Sequence, residues 1–350
     1  MNILAIDTSA DDTSAAVVID RKIASNIIWS QLVHKEWGGI VPSLAKLEHA
    51  RNIQPAVQKA LKQAKITIEE IELIAVTYGP GLSIALEVGI SCAKELATAH
   101  TIPILPVNHM EGHLYASEGL RPKSGKDQDK EFRFPLLGLL VSGGHTEIVL
   151  MQKHGEYTVL AETLDDAVGE AFDKVARMVG LGYPGGKALA ELAVHGDPFS
   201  IDLPEPLVRT GQSAFSYSGL KTAVMKQVKF FGEQMTKKLA ANIAASFQRV
   251  AIDHLERKLE KQIATHHPVM IVLGGGVAAN LELRKRMRKM ARKHNVSLLT
   301  PYTTTLCQDN AAMIGVAAER LILSGRTPLL PSQLEQLDRD PSARIDQIKI

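Results

Sequence analysis

One short design occurs twice in the chain and limits the fold more than any other feature. Asn2-Ile-Leu-Ala-Ile-Asp7 is an apolar run, and a polar turn, Thr8–Ser14, joins it to a second apolar run, Ala15–Ile19. The same order returns as Phe134–Val141, the turn Ser142–Glu147 and Ile148–Met151. Two strand–turn–strand units predict a duplicated α/β domain whose turn tips offer hydroxyls and backbone N–H groups suited to phosphate. Either tip taken alone reads first as a solvated hairpin loop. A third signal, Val269–Asn280, is a strand, three glycines and a helix start. Helix N-termini with unpaired donors recur in anion sites, so the three together predict a nucleotide-handling cleft.

Helical spacing of Leu44, Leu47, Ile53, Val57 and Leu61 predicts a helix from the Gly38–Ser43 segment to about Lys65. Ile71–Thr77 reads as a strand, Tyr78–Ser83 as a sharp glycine turn, Ala85–Ala99 as a helix and Ile102–Asn108 as a short strand. There follows Asn108-His-Met-Glu-Gly-His113, with His109 and His113 four apart. Residues at that spacing share one helix face, so both imidazoles can converge on one ion. Asp309, in a polar knot before an apolar helix, is the candidate third ligand. The spacing alone also fits two unrelated histidines at a helix start. It is not a metalloprotease motif, because Met110 stands where that chemistry needs glutamate.

Composition sets outer limits. With 45% hydrophobic and 22% charged residues in 350, the chain has an ordinary globular profile and length for roughly two domains. A net charge of +2 means that any nucleic-acid surface is a local patch. Two cysteines are too few for a disulfide framework. No apolar run reaches the ~18 residues of a membrane span, and no basic-then-apolar leader precedes the first strand, so a cytoplasmic protein without membrane association is expected. Residues 120–131 form a charged run with little to bury, read as a loop or linker. Leu283–His294 carries seven Lys or Arg on a helical pattern, with Leu283, Met287, Met290 and Ala291 turned inward. That pattern fits either an RNA-facing helix or a solvated one.

The separated motifs resemble the TsaD family of tRNA N6-adenosine threonylcarbamoyltransferases. They run from Ile3–Ser9 and Asp11–Ser14 through Gly38–Pro42, Gly79–Gly81, Asn108–His113 and Leu140–Thr146. Gly169–Lys174, Tyr183–Gly186, Phe215–Thr222, Ser246–Gln248, Gly274–Asn280 and Cys307–Met313 continue them, so the likeness extends to about Gly325. It implies two ribonuclease-H-like α/β lobes of the actin, Hsp70 and sugar-kinase superfamily around a central cleft. The corresponding domains are 1–107 plus about 303–328, a metal helix and linker at 108–133, a second lobe at 134–302 and a polar tail at 329–350. It also implies one divalent metal, Fe(2+) first and Zn(2+) second, on His109, His113 and Asp309. Threonylcarbamoyl-AMP is then expected on Leu140, Val141, Ser142, Gly143, Gly144, Asp173, Gly186 and Asn280, with adenosine 37 of tRNA as acceptor. The implied partners are a paralogous TsaB-type subunit and a TsaE-type small ATPase.

An exocyclic adenine amine is a poor nucleophile, so a carboxylate that takes its proton is expected, with Asp11 first and Asp12 second. This chain has Ala10 and Asp12 where the family usually has Cys and Glu, so no thiol serves there. Lys187, Ala190 and Ser43 also depart from the family pattern. Two other readings are an ATP-dependent phosphotransferase of the same superfamily and a scaffold subunit without chemistry. The first relies on carboxylates and Mg²⁺ and has no use for the histidine pair, and the second has no use for an intact ligand trio.

Overall fold

The computed structural model describes residues 1–121, 131–208 and 212–348, apart from the Lys35 side chain. Most of the charged run expected as a linker, residues 122–130, lies outside the described residues. The chain divides into two compact units, one from Met1–Arg133, Met151–Thr158 and Leu299–Ile350, the other from Phe134–Leu150 and Val159–Leu298.

In the first unit, β1 (Asn2–Asp7), β2 (Asp12–Ile19) and β3 (Lys22–Ser30) are followed by α1 (Pro42–Ala64), β4 (Leu73–Gly79), α2 (Ser83–His100), β5 (Ile104–Asn108) and α3 (His109–Tyr115). The sheet order is β3-β2-β1-β4-β5. β1, β2 and β3 pair antiparallel, whereas β4 joins β1 and β5 joins β4 in parallel. β3 extends the expected hairpin by a strand in which buried Ile23, Ser25 and Ile27 alternate with more exposed residues.

The second unit contains β6 (Leu136–Val141), β7 (Thr146–Lys153), β8 (Glu156–Thr163), α4 (Val168–Met178), α5 (Gly186–Ala193) and β9 (Ala214–Phe215). α6 (Ser218–Phe231), α7 (Lys237–His266), β10 (Met270–Gly274), α8 (Leu281–Lys293) and β11 (Ser297–Leu299) follow. Its sheet order is β11-β10-β6-β7-β8-β9. Starting from β8, the succession β8-β7-β6-β10-β11 repeats β3-β2-β1-β4-β5, with β9 added at the edge. The duplication expected from the paired strand–turn–strand design is therefore visible as one strand order used twice.

The chain then returns to the first unit as α9 (Ala311–Leu323). Strand alternation explains the layering there. Leu4 and Ile6 of β1, with Ala15 and Val17 of β2, join the core that α1 and α2 cover. Ala5 and Val18 face α9, so closely that a Cβ on Gly315 would lie 2.7 Å from Val18 Cγ2 and 3.2 Å from Ala5 Cβ. The segment after α9 also packs on this unit, with Leu334, Leu337, Ala343 and Ile345 buried. Asp340 N donates to Tyr78 O at 2.8 Å and Gly81 N donates to Pro341 O at 3.2 Å. A Cβ on Gly79 would fall 1.8 Å from Asp340 O, so only glycine lets the two backbones meet. Among the described residues, no helix is long and apolar enough to cross a membrane.

Candidate active site

The alternation that turns Leu4 and Ile6 toward α1 and α2 turns Asp7, at the carboxyl end of β1, to the opposite face, which α9 covers. α3 starts at the carboxyl end of the parallel strand β5, the end where open α/β sheets place their ligands. Asn108 caps α3, its side chain accepting from Met110 N at 2.8 Å, while Glu111 accepts from Asn108 N at 3.2 Å. Gly112 lets α3 lie against α9, since a Cβ there would sit 2.7 Å from Ile314 Cδ1. The start of α9 is fixed in turn. Asn310 accepts from Met313 N at 3.1 Å, and Ser14 of β2 accepts from Ala311 N at 2.8 Å. These contacts bring His109, His113 and Asp309 together, with ligand atoms all within 4.8 Å of one another.

His109 Nε2 lies 3.4 Å and His113 Nε2 3.2 Å from the same oxygen, Asp309 Oδ1. The other ring nitrogen of His109 lies 3.6 Å from Asp7 Oδ1. Asp7 Oδ1, His109 Nδ1 and both nitrogens of His113 are buried without an aligned hydrogen bond. Buried polar atoms seldom stay unsatisfied, and here they converge, which is the donor set that a cation would complete. The protonation pattern agrees. Burial opposes a charge on His109, yet the Asp309 and Asp7 carboxylates prevail and raise it to about 10. Burial and the neighbouring His109 charge hold His113 low, although Asp309 works in the other direction. Burial would raise Asp309, but His109 and His113 keep it well below the usual carboxylate range. Such a pocket favours one positive charge between the imidazoles and the carboxylate.

Asp7 is the site residue that the sequence reading passed over. Its only signal was the odd-numbered register of β1. A second set of charges holds α3 and the turn that follows it. Arg326 makes a two-pronged pair with buried Glu111 at 2.8 and 2.9 Å, and Arg320 grips buried Glu118 at 2.8 and 3.2 Å.

Asp11 and Asp12, the expected proton acceptors, stand half-buried around the start of β2. The Asp11 carbonyl accepts from Gln31 N at 3.1 Å. Burial raises the Asp12 carboxyl to about 7; a Ser30 hydrogen bond opposes this and repulsion from Asp11, Asp309 and Asp7 adds to it. His49 anchors the same turn, its Nε2 3.0 Å from Ala10 O and its Nδ1 2.8 Å from Thr13 Oγ1.

In the second unit, Leu140 and Val141 are buried in β6, and Ser142 closes the turn by accepting from His145 N at 3.1 Å. Among the described residues nothing lies within 4 Å of a Cβ placed on Gly143 or Gly144, so the backbone at this tip is open to close approach. Gly275, at φ +90°, crosses Val141 where a Cβ would meet its carbonyl oxygen at 2.3 Å. Asp173 and Gly186 are joined directly, because Asp173 Oδ1 accepts from Gly185 N at 2.8 Å and Gly186 N at 2.7 Å. Asn280 caps α8 by accepting from Leu283 N at 3.0 Å and donates to Gln248 Oε1 at 2.8 Å.

A profile of the TsaD family, described as tRNA N6-adenosine threonylcarbamoyltransferase, matches residues 22–316. A protein of that name from Thermosipho africanus is 44% identical over 326 residues, covering 93% of this chain and 96% of its own length. One from Staphylococcus carnosus is 42% identical, covering 92% of each. Among solved structures, HypF from T. kodakarensis aligns with a TM-score of 0.58 at 14% identity over 93% of this chain and 48% of its own. A ROK family glucokinase from Streptomyces griseus aligns at 0.50 and 12% identity over 91% of this chain and 99% of its own. These two show the fold alone, an α/β architecture with two mixed sheets. The matched span of 22–316 and identities of 42–44% over nine-tenths of the chain place it in the TsaD family of tRNA-modifying transferases.

Proposed function

We propose that the protein transfers the threonylcarbamoyl group of threonylcarbamoyl-AMP to N6 of adenosine 37 in tRNAs that read codons beginning with A, releasing AMP. The observation that carries this reading is the convergence of two imidazoles and a carboxylate within 4.8 Å in a member of this family. His109, His113 and Asp309 would hold one divalent ion, Fe(2+) before Zn(2+), because mixed nitrogen and oxygen ligands suit borderline cations. When bound, that ion supplies a Lewis acid and a template for the substrate's oxygens. Asp7 orients His109 from behind.

Leu140, Val141, Ser142, Gly143, Gly144, Asp173, Gly186 and Asn280 are the proposed adenylate contacts. Gly143 and Gly144 give a phosphate access to the backbone. Asp173 commits Oδ1 to the Gly185 and Gly186 amides and keeps Oδ2 for a ribose hydroxyl. Asn280 shapes the loop, since its amide is engaged at both ends. In the transfer, N6 bonds to the carbamoyl carbon, the bond from that carbon to the phosphate oxygen breaks, and the N6 proton passes to a carboxylate. Asp11 is the proposed acceptor. Asp12 is the second choice, and its value of about 7 matches proton transfer near neutrality. A TsaB-type paralogue and a TsaE-type ATPase are the proposed partners, and the cytoplasm the proposed place of action.

Labelled threonylcarbamoyl-AMP and an A37-containing tRNA transcript test this with the intact chain, with and without those partners. Modified tRNA is expected from the wild type and none from His109→Ala. ATP turnover without modified tRNA under every condition would establish the phosphotransferase reading instead. Single-turnover transfer by Asp11→Asn is expected to slow 10²–10⁴-fold, and an unchanged rate removes Asp11 as the base.

A further inference from the structure

We infer that the exposed face of α8 docks the ribose–phosphate backbone of RNA, an inference that rests on the transferase reading. α8 carries seven Lys or Arg, and they divide by face. Arg286 pairs with Asp253 and Glu256 on α7, Lys293 with Glu260 and Lys285 with Glu282, while Arg284 donates to Ala278 O. Arg288, Lys289 and Arg292 are exposed, and among the described residues their side chains have no ion-pair or hydrogen-bond partner. Spaced three and four apart around Arg292, they project from one side of the helix, where like charges repel.

Packing gives no reason for this arrangement. Leu283, Met287, Met290 and Ala291 fill the buried face of α8, and the Arg286 pairs already anchor it to α7. The chain as a whole is nearly neutral at +2, so the excess is local. A polyanion relieves the repulsion, and the guanidinium fork matches phosphate oxygens. The only large exposed apolar group on the helix is Leu281, whereas a protein partner needs an apolar centre to its interface. α8 also begins at Asn280, the end of the glycine loop proposed for the adenylate. Its 13 residues span about 20 Å, so RNA lying along it stays within one helix length of that loop.

The test is the salt dependence of binding between intact protein and an A37-containing tRNA transcript from 50 to 200 mM salt, for wild type and R288Q/K289Q/R292Q. Each phosphate contact contributes roughly 0.7–0.9 to the slope of log K against log salt, so the variant's slope is expected to be shallower by about 2–3. R288K/K289R/R292K is expected to keep the wild-type slope, and thermal unfolding of the glutamine variant is expected to be undiminished. An unchanged slope in a protein that still transfers threonylcarbamoyl overturns the docking face alone. A wild type that neither binds tRNA nor modifies it overturns the transferase reading as well.

Discussion

Asp7 Oδ1 and His109 Nδ1 stand 3.6 Å apart, each buried without another partner. A carboxylate behind a metal-binding imidazole fixes its tautomer and ring angle, and loss of such a group typically costs 10–100-fold in metal affinity. Asp7→Asn is therefore expected to weaken metal binding by that factor in a competition titration against a chelator, with the folded state retained. An unchanged affinity would remove Asp7 from the site. Asp12 makes a prediction of opposite sign. Its folded value of about 7 stands above the ordinary 3.8, so the native carboxyl keeps a proton that the unfolded chain has lost. Folding weakens as pH rises from about 4 to 7, and the penalty is complete above that. Asp12→Asn should thus stabilise metal-free protein at pH 8 by up to about 4 kcal/mol and leave it unchanged near pH 3. Urea unfolding at the two pH values reads the difference. The histidine pair was legible in the sequence because a four-residue spacing is local information. Asp7 was not, since its nearness to His109 exists only once β1 and β5 lie in one sheet.

α3 has seven residues, too few to persist without tertiary support. That support is the Asn108 cap, the Gly112 contact and the buried Glu111–Arg326 pair. Removing one partner of a buried pair strands the other, which typically costs 3–5 kcal/mol. Arg326→Ala is expected to lose stability on that scale in equilibrium unfolding, and adding Glu111→Gln should recover much of it. No recovery would mean that Arg326 acts through packing alone. The helices at α1 and α8 were readable from periodicity, including the four inward residues of α8, and α2 from the glycine turn that precedes it. β3 was not, because Lys22–Ser30 interleaves polar and apolar residues without a turn signal as clear as the one before β2.

At the scale of the molecule, the repeated strand order was foreshadowed by the repeated strand–turn–strand design, whereas the docking of the last segment was not. Leu334, Leu337, Ala343 and Ile345 follow no helical or strand period, so their burial is dictated by the surface they meet. Deleting residues 331–350 exposes that surface and leaves Tyr78 O and Gly81 N without their partners. Each leucine lost from such a position removes roughly 1.5–3 kcal/mol, and thermal unfolding is expected to register the sum as a clear fall in the first unit's stability. An unaltered transition would show that the segment is held without holding anything.

The first unit is assembled from distant stretches of chain, while the second is nearly continuous from Phe134 to Leu298, broken only by residues 151–158. On a ribosome this imposes an order. The second unit can close while α9 is still unmade, but β1 and β2 must wait for the helix that covers their other face. Asp309 emerges some two hundred residues after His109, so the histidines wait for their proposed third partner while the second unit is made. A nascent chain stalled before that point carries both histidines without the carboxylate, so the proposed metal centre cannot assemble until residue 309 has been made.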